Sequence, residues 1–437
     1  MIRKVYKDSD PVLRTPTEKV TDFGMEFQHL VDDMIETMRK SKGIGLAAPQ
    51  VGISKKVFVA EFADNDTAPY KPFPLTVLVN PEVVFTSKSK VNLVEGCLSL
   101  PGLELIIKRP RKVTVKGQDR YGKPITITAN DLYARTMQHE IDHLNSVLFI
   151  DRKQEIPVIF IGTGTLGIPA LQLLAKDPQY KIKLVVTGKS TPTSRNENIN
   201  IIEKTAKELS LPLLATNNIK DEKIVAKIAK TKPHLGIMAD FGQIVPDSIL
   251  EIPKLGVVNI HPSLLPRHRG ASPVQQTILD GDDITGVTLL LTVSKMDAGP
   301  ILSQAKVKLS QTETAPILKD YLAETGASLL LNTVPYYITG DIHPFEQTEE
   351  ATYTHQFTKE DGFVDSTTPK ELVERKIRAF AEWPKVHTKI GEKRIQLTAA
   401  HIDREGNLVI DRVRPEGKKE MSYDEFQRGY RTTLTFS

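Results

Sequence analysis

The sequence predicts a multidomain chain. An α+β domain comes first, then an α/β domain with Rossmann-like strand order, then a small C-terminal β-barrel of the OB-like type. Three observations carry this reading. The chain has 437 residues, too many for one ordinary domain. Up to residue 152, short strand-like runs precede a terminal helix, whereas from Ile156 onward strands and helices alternate. After an irregular stretch at 341–357, one helix and several short strands close the chain. The expected boundaries are 1–152, a linker at 153–155, 156–340, a connection at 341–357, and 358–437.

Composition narrows the class. The chain is 40% hydrophobic and 26% charged, with a formal charge of +4, too mild to announce a nucleic-acid binder by itself. Met1-Ile2-Arg3-Lys4 is not followed by an apolar core segment, and no run of about 18 apolar residues exists. A cytoplasmic protein without a membrane partner is expected. Cys97 is the single cysteine, so no internal disulfide can form, which fits a reducing compartment.

The first domain opens with a helix carrying Leu30, Met34, Ile35 and Met38 at helical spacing. Gly43-Ile44-Gly45 follows, within a segment that runs to Gln50. Its two glycines let the backbone approach a ligand closely, making Gly43, Ile44 and Gly45 candidate substrate-binding residues. Strands are expected at 56–60, 75–80, 112–116 and 125–128, with Glu95-Gly96-Cys97-Leu98-Ser99-Leu100-Pro101 among them.

The last element, Gln138-His139-Glu140-Ile141-Asp142-His143, sets two imidazoles four residues apart on one helix face. The bland alternative is a solvated helix that carries two histidines. With Cys97, however, His139 and His143 make a three-ligand set that leaves a position open for water, as catalytic metal sites do. Glu140 stands beside it to carry a proton. The Gln50 amide and the Leu98 N–H are placed to steady an oxyanion. Such a set is machinery for amide hydrolysis.

Gly43–Gln50, Glu95–Pro101 and Gln138–Leu144 together resemble the three motifs of the peptide deformylases, in order and at similar separations. The resemblance covers residues 1–152. It implies an α+β metallohydrolase that removes formyl from nascent formyl-methionyl polypeptides. It implies Fe(II) at Cys97, His139 and His143, with zinc, nickel or cobalt as alternatives that ligand softness does not separate. The ribosome is a further partner it raises. In this chain, though, Phe149-Ile150-Asp151-Arg152 leads almost at once into a different domain, where many deformylases continue with a tail.

In the second domain, Gly162-x-Gly164-x-x-Gly167 matches a dinucleotide fingerprint after a buried strand. The next strand, Ile182–Thr187, lacks the terminal acidic residue that holds a ribose, so the strand order is expected and NAD is not. Later, Asn259 and His261 fall on one side of a strand end, and Asp297 lies in a turn after the strand 286–293. A histidine polarised by an aspartate, beside an amide, suits acyl transfer.

This set, with Ser263-Leu264-Leu265-Pro266, resembles the folate-dependent formyltransferases. Arg269-Gly270-Ala271-Ser272-Pro273 and Phe241-Gly242-Gln243-Ile244 resemble the methionyl-tRNA formyltransferase branch. The resemblance implies 10-formyltetrahydrofolate as donor and initiator methionyl-tRNA as acceptor, with Asn259, His261 and Asp297 catalytic. It implies that Phe241, Gly242, Gln243, Ile244, Ser263, Leu264, Leu265 and Pro266 form the folate pocket. One departure stands out: Gly188–Glu197, where the family carries a longer basic loop, holds only Lys189 and Arg195 as cations. That leaves glycinamide ribotide and amino sugars as alternative acceptors.

In the last third, Trp383-Pro384 and the basic turn at 413–422 resemble the family's C-terminal barrel. Residues 351–437 hold 16 Lys/Arg against 14 Asp/Glu, so clustering, not bulk charge, must recognise tRNA. Arg414, Lys418 and Lys419 are the candidate contacts; a solvated charged edge is the alternative. The two resemblances imply one enzyme that both installs and removes formyl. The rival is a translation-associated binding protein with one inactive half.

Overall fold

Val57, Phe58, Val59 and Ala60 are all fully buried, which requires the strand Val57–Phe62 to be covered on both faces. The computed structural model describes residues 1–63, 70–192, 197–198, 200–348 and 350–437, and shows what covers them. Val57 and Val59 pack with Leu30, Met34, Ile35 and Met38 of the helix Met25–Lys40. Phe58 and Ala60 pack with Met137, Ile141 and Leu144 of the helix Asp131–Leu144. Period-two alternation in one strand therefore serves two helices. The sheet is an antiparallel meander in the order Gly45–Ala47, Val57–Phe62, Phe73–Thr86, Lys112–Gln118 and Pro124–Asn130. A separate hairpin, Lys90–Cys97 with Leu100–Pro110, carries Cys97 at its turn.

Two compact units divide the chain: Met1–Glu155 with Thr339–Asp341, and Ile156–Ile338 with Ile342–Ser437. The second contains a seven-stranded sheet. Its order is Leu213–Ala215, Tyr180–Thr187, Ile156–Gly162, Leu235–Ala239, Val257–His261, Ile284–Leu291 and Ile301–Lys308. The first five strands are parallel; Ile284–Leu291 pairs antiparallel with Val257–His261, and Ile301–Lys308 antiparallel with Ile284–Leu291. The direction of winding reverses between Ile156–Gly162 and Leu235–Ala239. Ligands in such sheets sit outside the carboxyl ends of the strands near this reversal.

The same unit ends in an open antiparallel sheet, Val386–Ile390, Lys393–Ile402, Leu408–Pro415 and Met421–Ser422 in that order. The OB-like barrel expected from the sequence is not closed among the described residues. The last strand has only two residues, and the chain then turns into the helix Tyr423–Tyr430 before it can pair back to Val386–Ile390. A capping box of Ser422 and Glu425 starts that helix. The helix Lys370–Ala379 packs over the first three strands and encloses Val373, Ile395, Leu397 and Val413. No helix among the described residues is long and apolar enough to cross a membrane.

Candidate active sites

The first site forms where the helix Asp131–Leu144 meets the hairpin turn. Cys97 Sγ, His139 and His143 offer donor atoms that all lie within 4.8 Å of one another. Cys97 Sγ is 3.3 Å from His143 Nε2. His139 Nδ1 is 3.1 Å from Glu95 Oε2, which leaves its Nε2 facing the cluster. Two buried polar atoms there, His143 Nδ1 and Glu140 Oε2, have no partner. One thiol and two imidazoles suit a divalent transition metal, so the residues fit the ion that the sequence suggests.

Gln50, 1% exposed, accepts from the Ala47 N–H at 2.8 Å through Oε1. That fixes the amide so that Nε2 points at Cys97 Sγ (3.5 Å) and Ser99 Oγ (3.3 Å). The Leu98 peptide is anchored by its carbonyl, which accepts from Lys7 Nζ at 3.0 Å. Gly43 and Gly45 are glycines for packing reasons: an added β-carbon would strike the Leu98 side chain at Gly43 and the Glu140 carboxylate at Gly45. Ile44 between them accepts the Glu61 N–H through its carbonyl. Burial pushes the Glu140 carboxyl up to about 7. Burial also drives His143 well below its ordinary range, and charge on His139 adds to this. For His139, burial is outweighed by hydrogen bonds to Cys97 and Glu95, and the net shift is upward.

A buried charge network behind the histidines escaped sequence reasoning. Arg109 donates to both Glu95 oxygens at 2.6 and 2.9 Å and to Asp142 Oδ2 at 2.7 Å. Arg135 donates to Glu95 Oε1 and to the Ile107 carbonyl, and Arg152 pairs with Asp142. Burial alone would raise the Glu95 carboxyl; bonds from His139 and Arg109 overcome that and hold it well below the usual range. A weak signal was present. Arg109 continues the period-two series of Leu105 and Ile107, so it had to point inward. Arg135 and His139 are likewise one helical turn apart.

The second site lies at the carboxyl end of Val257–His261. Asn259 Nδ2 donates to Asp297 Oδ1 at 3.4 Å, and His261 Nδ1 is 3.7 Å from Asp297 Oδ2. All three side chains predicted from the sequence therefore converge. Asp297 sits in left-handed backbone (φ 47°), a conformation Asp tolerates better than most residues, and takes the Gly270 N–H at 2.9 Å. His261 Nε2 is 3.0 Å from the His268 carbonyl, so that nitrogen carries the proton.

The candidate folate residues divide into structural and open members. Gln243 ties its loop to the neighbouring one, accepting from Ile219 N–H (2.9 Å) and donating to the Thr216 carbonyl (3.1 Å). Ser263 is fully buried and donates to the Arg267 carbonyl at 2.7 Å. Leu265 is buried, and the Pro266 carbonyl accepts from Thr352. Phe241 and Leu264 are half-buried, Gly242 is exposed and Ile244 is 66% exposed, so these four leave surface for a ligand.

The glycine-rich turn is occupied from within. The Thr163 and Gly164 N–H groups donate to the Asp240 carbonyl. An added β-carbon at Gly164 would overlap the Asp240 carboxylate, which Lys319 holds at 2.7 Å. An acidic side chain thus lies against the turn where a pyrophosphate would need to approach, in keeping with the missing ribose acid.

The stretch read as an interdomain connection contributes to this site. Gln347 Nε2 donates to the Asp297 and Gly299 carbonyls, both at 2.8 Å, while Gln347 Oε1 accepts from Arg269 at 2.7 and 3.1 Å. Tyr353–Thr354 pairs in parallel with Arg269–Gly270. No local pattern announces these contacts, which join residues 48 to 84 positions apart. Among the candidate tRNA contacts, Arg414, Lys418 and Lys419 are exposed, and Arg414 reaches Glu420 at 3.6 Å. Of the Gly188–Glu197 loop, residues 193–196, including Arg195, lie outside the described residues.

Three family models match successive parts of the chain. A polypeptide deformylase model matches residues 2–157, a formyl transferase model 155–334, and a formyl transferase C-terminal domain model 356–407. The chain is 35% identical over 302 residues to a methionyl-tRNA formyltransferase of Roseiflexus castenholzii, covering 63% of this chain and 96% of that protein. It is 33% identical over 294 residues to one from Thermodesulfovibrio yellowstonii, covering 62% and 95%. A peptide deformylase structure from Legionella pneumophila is 41% identical, covering 35% of this chain and 86% of that one, with a TM-score of 0.32. The chain belongs to the methionyl-tRNA formyltransferase family and carries a polypeptide deformylase domain in front of it.

Proposed function

We propose that this chain is a bifunctional enzyme of translation initiation. One site hydrolyses the N-formyl group of formyl-methionyl polypeptides, and the other transfers formyl from 10-formyltetrahydrofolate to the amine of initiator methionyl-tRNA. The observation that carries the reading is that each compact unit contains one complete set of reactive side chains.

In the first site Cys97, His139 and His143 hold the metal, with Fe(II) as the proposed ion. When bound, such a cation supplies Lewis acidity and makes water nucleophilic near neutral pH. Glu140 Oε2, buried and without a partner, takes the water proton and returns it to the departing amine. The oriented Gln50 amide and the Leu98 N–H stabilise the oxyanion. Gly43, Ile44 and Gly45 line the peptide.

In the second site the methionyl amine attacks the formyl carbon. The Asn259 amide stabilises the tetrahedral oxyanion. His261 and Asp297 receive and pass on the amine proton. Phe241, Gly242, Ile244 and Leu264 face the folate, and Gln243, Ser263, Leu265 and Pro266 hold their loops. Arg414, Lys418 and Lys419 contact the tRNA backbone.

The test is to measure both activities on one purified chain, offering charged initiator tRNA beside glycinamide ribotide and amino sugars. Glu140→Ala should abolish deformylation and spare transfer; Asn259→Ala should do the reverse. Joint loss in either variant would refute two independent sites, and a small-molecule acceptor outcompeting tRNA would reassign the second.

A further inference from the structure

Trp383 is the single tryptophan of the chain, and it is 51% exposed. It forms, with Pro384, the apolar wall of a cleft of about 390 Å³. Lys359, Lys385, Arg394, Arg414 and Lys418 ring the cleft, against one carboxylate, Glu416. The cations arrive there by strand periodicity. Ile395, Leu397 and Val413 turn inward under the helix Lys370–Ala379, so Arg394, Gln396 and Arg414 turn outward. Gln396 and Arg414 stand directly opposite one another on paired strands.

The charge is only partly compensated: Arg414 reaches Glu420 at 3.6 Å, and Lys385 donates to the Ala381 carbonyl. Glu416 is already engaged with the Arg394 backbone N–H at 3.3 Å. Among the described residues the Arg394 guanidinium meets only the ring of His387, at 3.1 Å. Among the described residues Lys359 and Lys418 have no ion-pair partner. A half-exposed indole beside five cations asks for a ligand with a π-face and negative charge in the same few ångströms. A nucleotide has both. An acidic peptide would meet the cations and leave the indole in water, and a lipid surface would need a wider apolar patch.

We infer that this cleft is a nucleotide subsite: an unpaired base stacks on Trp383 while its flanking phosphates meet Arg394, Arg414 and Lys418. Gln396 offers both a donor and an acceptor to the base edge. The inference deepens the nucleic-acid reading of the C-terminal sheet and rests on it.

The single tryptophan makes the test direct, because tryptophan emission of the unaltered chain, excited beyond the tyrosine band, reports on this cleft alone. Titration with methionyl-tRNA and with a short single-stranded oligoribonucleotide should quench it saturably, with affinity falling steeply as salt rises. Trp383→Ala should raise the KM for tRNA roughly 5- to 100-fold at unchanged kcat, and Trp383→Phe should restore most of it. Equal quenching by inorganic polyphosphate or polyglutamate would overturn the proposal in favour of a plain anion patch. So would tRNA that is bound and formylated while the emission stays constant. Quenching by the oligoribonucleotide without formylation of tRNA supports the subsite and sinks the acceptor assignment instead.

Discussion

The α-carbon of Gly45 and the carboxylate of Glu140 are in such close register that a β-carbon on residue 45 would overlap Glu140 Oε1. The strand Gly45–Ala47 is thus the floor against which the proposed proton carrier rests. Gly45→Ala should push Glu140 out of position. Deformylation of a formyl-methionyl peptide should fall by roughly 10²-fold or more, with formyl transfer unchanged. Steady-state kinetics of both reactions check this; an Ala variant with full deformylase activity would refute the positional role.

The Arg109 pair with Glu95 and Asp142 is buried, with Arg109 3% exposed. Arg109→Met removes the buried cation that bridges the two carboxylates, leaving Glu95 to Arg135 and Asp142 to Arg152. The expected cost is about 3–5 kcal/mol, seen as early unfolding of the first unit in a denaturant titration. An unshifted midpoint would mean that water replaces the guanidinium without penalty.

Gln347 braces two loops of the second site through the Asp297, Gly299 and Arg269 contacts. Gln347→Ala should lower the kcat of formyl transfer about tenfold, the worth of roughly one net hydrogen bond at the reacting geometry, while deformylation stays level. If the KM for the formyl donor rose instead at constant kcat, the brace would serve binding rather than positioning of Asp297.

Metal removal should separate the two activities. Dialysis against a chelator should abolish deformylation and leave formyl transfer intact, since the donor cluster of Cys97, His139 and His143 lies in one unit only. Adding back Fe(II), cobalt, nickel or zinc singly and assaying the rate identifies the productive ion. Deformylation surviving full chelation, with no metal found by elemental analysis, would contradict the assignment.

His234 precedes the strand Leu235–Ala239 and is half-buried. Burial lowers its pKa, and Lys254 adds to the shift. The unfolded chain therefore binds a proton first as pH drops, so stability falls with acidification below the ordinary histidine range, near 6.5. His234→Gln should flatten the melting temperature of the second unit between about pH 7 and 5 relative to the parent. A parallel decline in both proteins would place the acid sensitivity elsewhere.

Much of this was legible from residue spacing because the signals are local. His139 and His143 share a helix face by being four apart, and Asn259 and His261 share a strand side by being two apart. The helix Met25–Lys40 announced its core face through Leu30, Met34, Ile35 and Met38. The helix Tyr423–Tyr430 also carries a local signature, since Ser422 and Glu425 form its capping box.

Spacing could not show what sequence-distant chains do when packed. The Arg109 network, the Asp240 side chain against Gly164, the Gln347 brace and the open C-terminal sheet each depend on segments tens of residues apart. Helix and strand periodicity reports only which side of an element a residue occupies. The partner it meets there, and whether a sheet edge pairs or stays open, are settled by burial and hydrogen bonding among whole elements. Local pattern thus pointed to the kind of chemistry and to candidate residues for it. Tertiary packing alone decided what holds Glu140, Asp297 and the histidines in place.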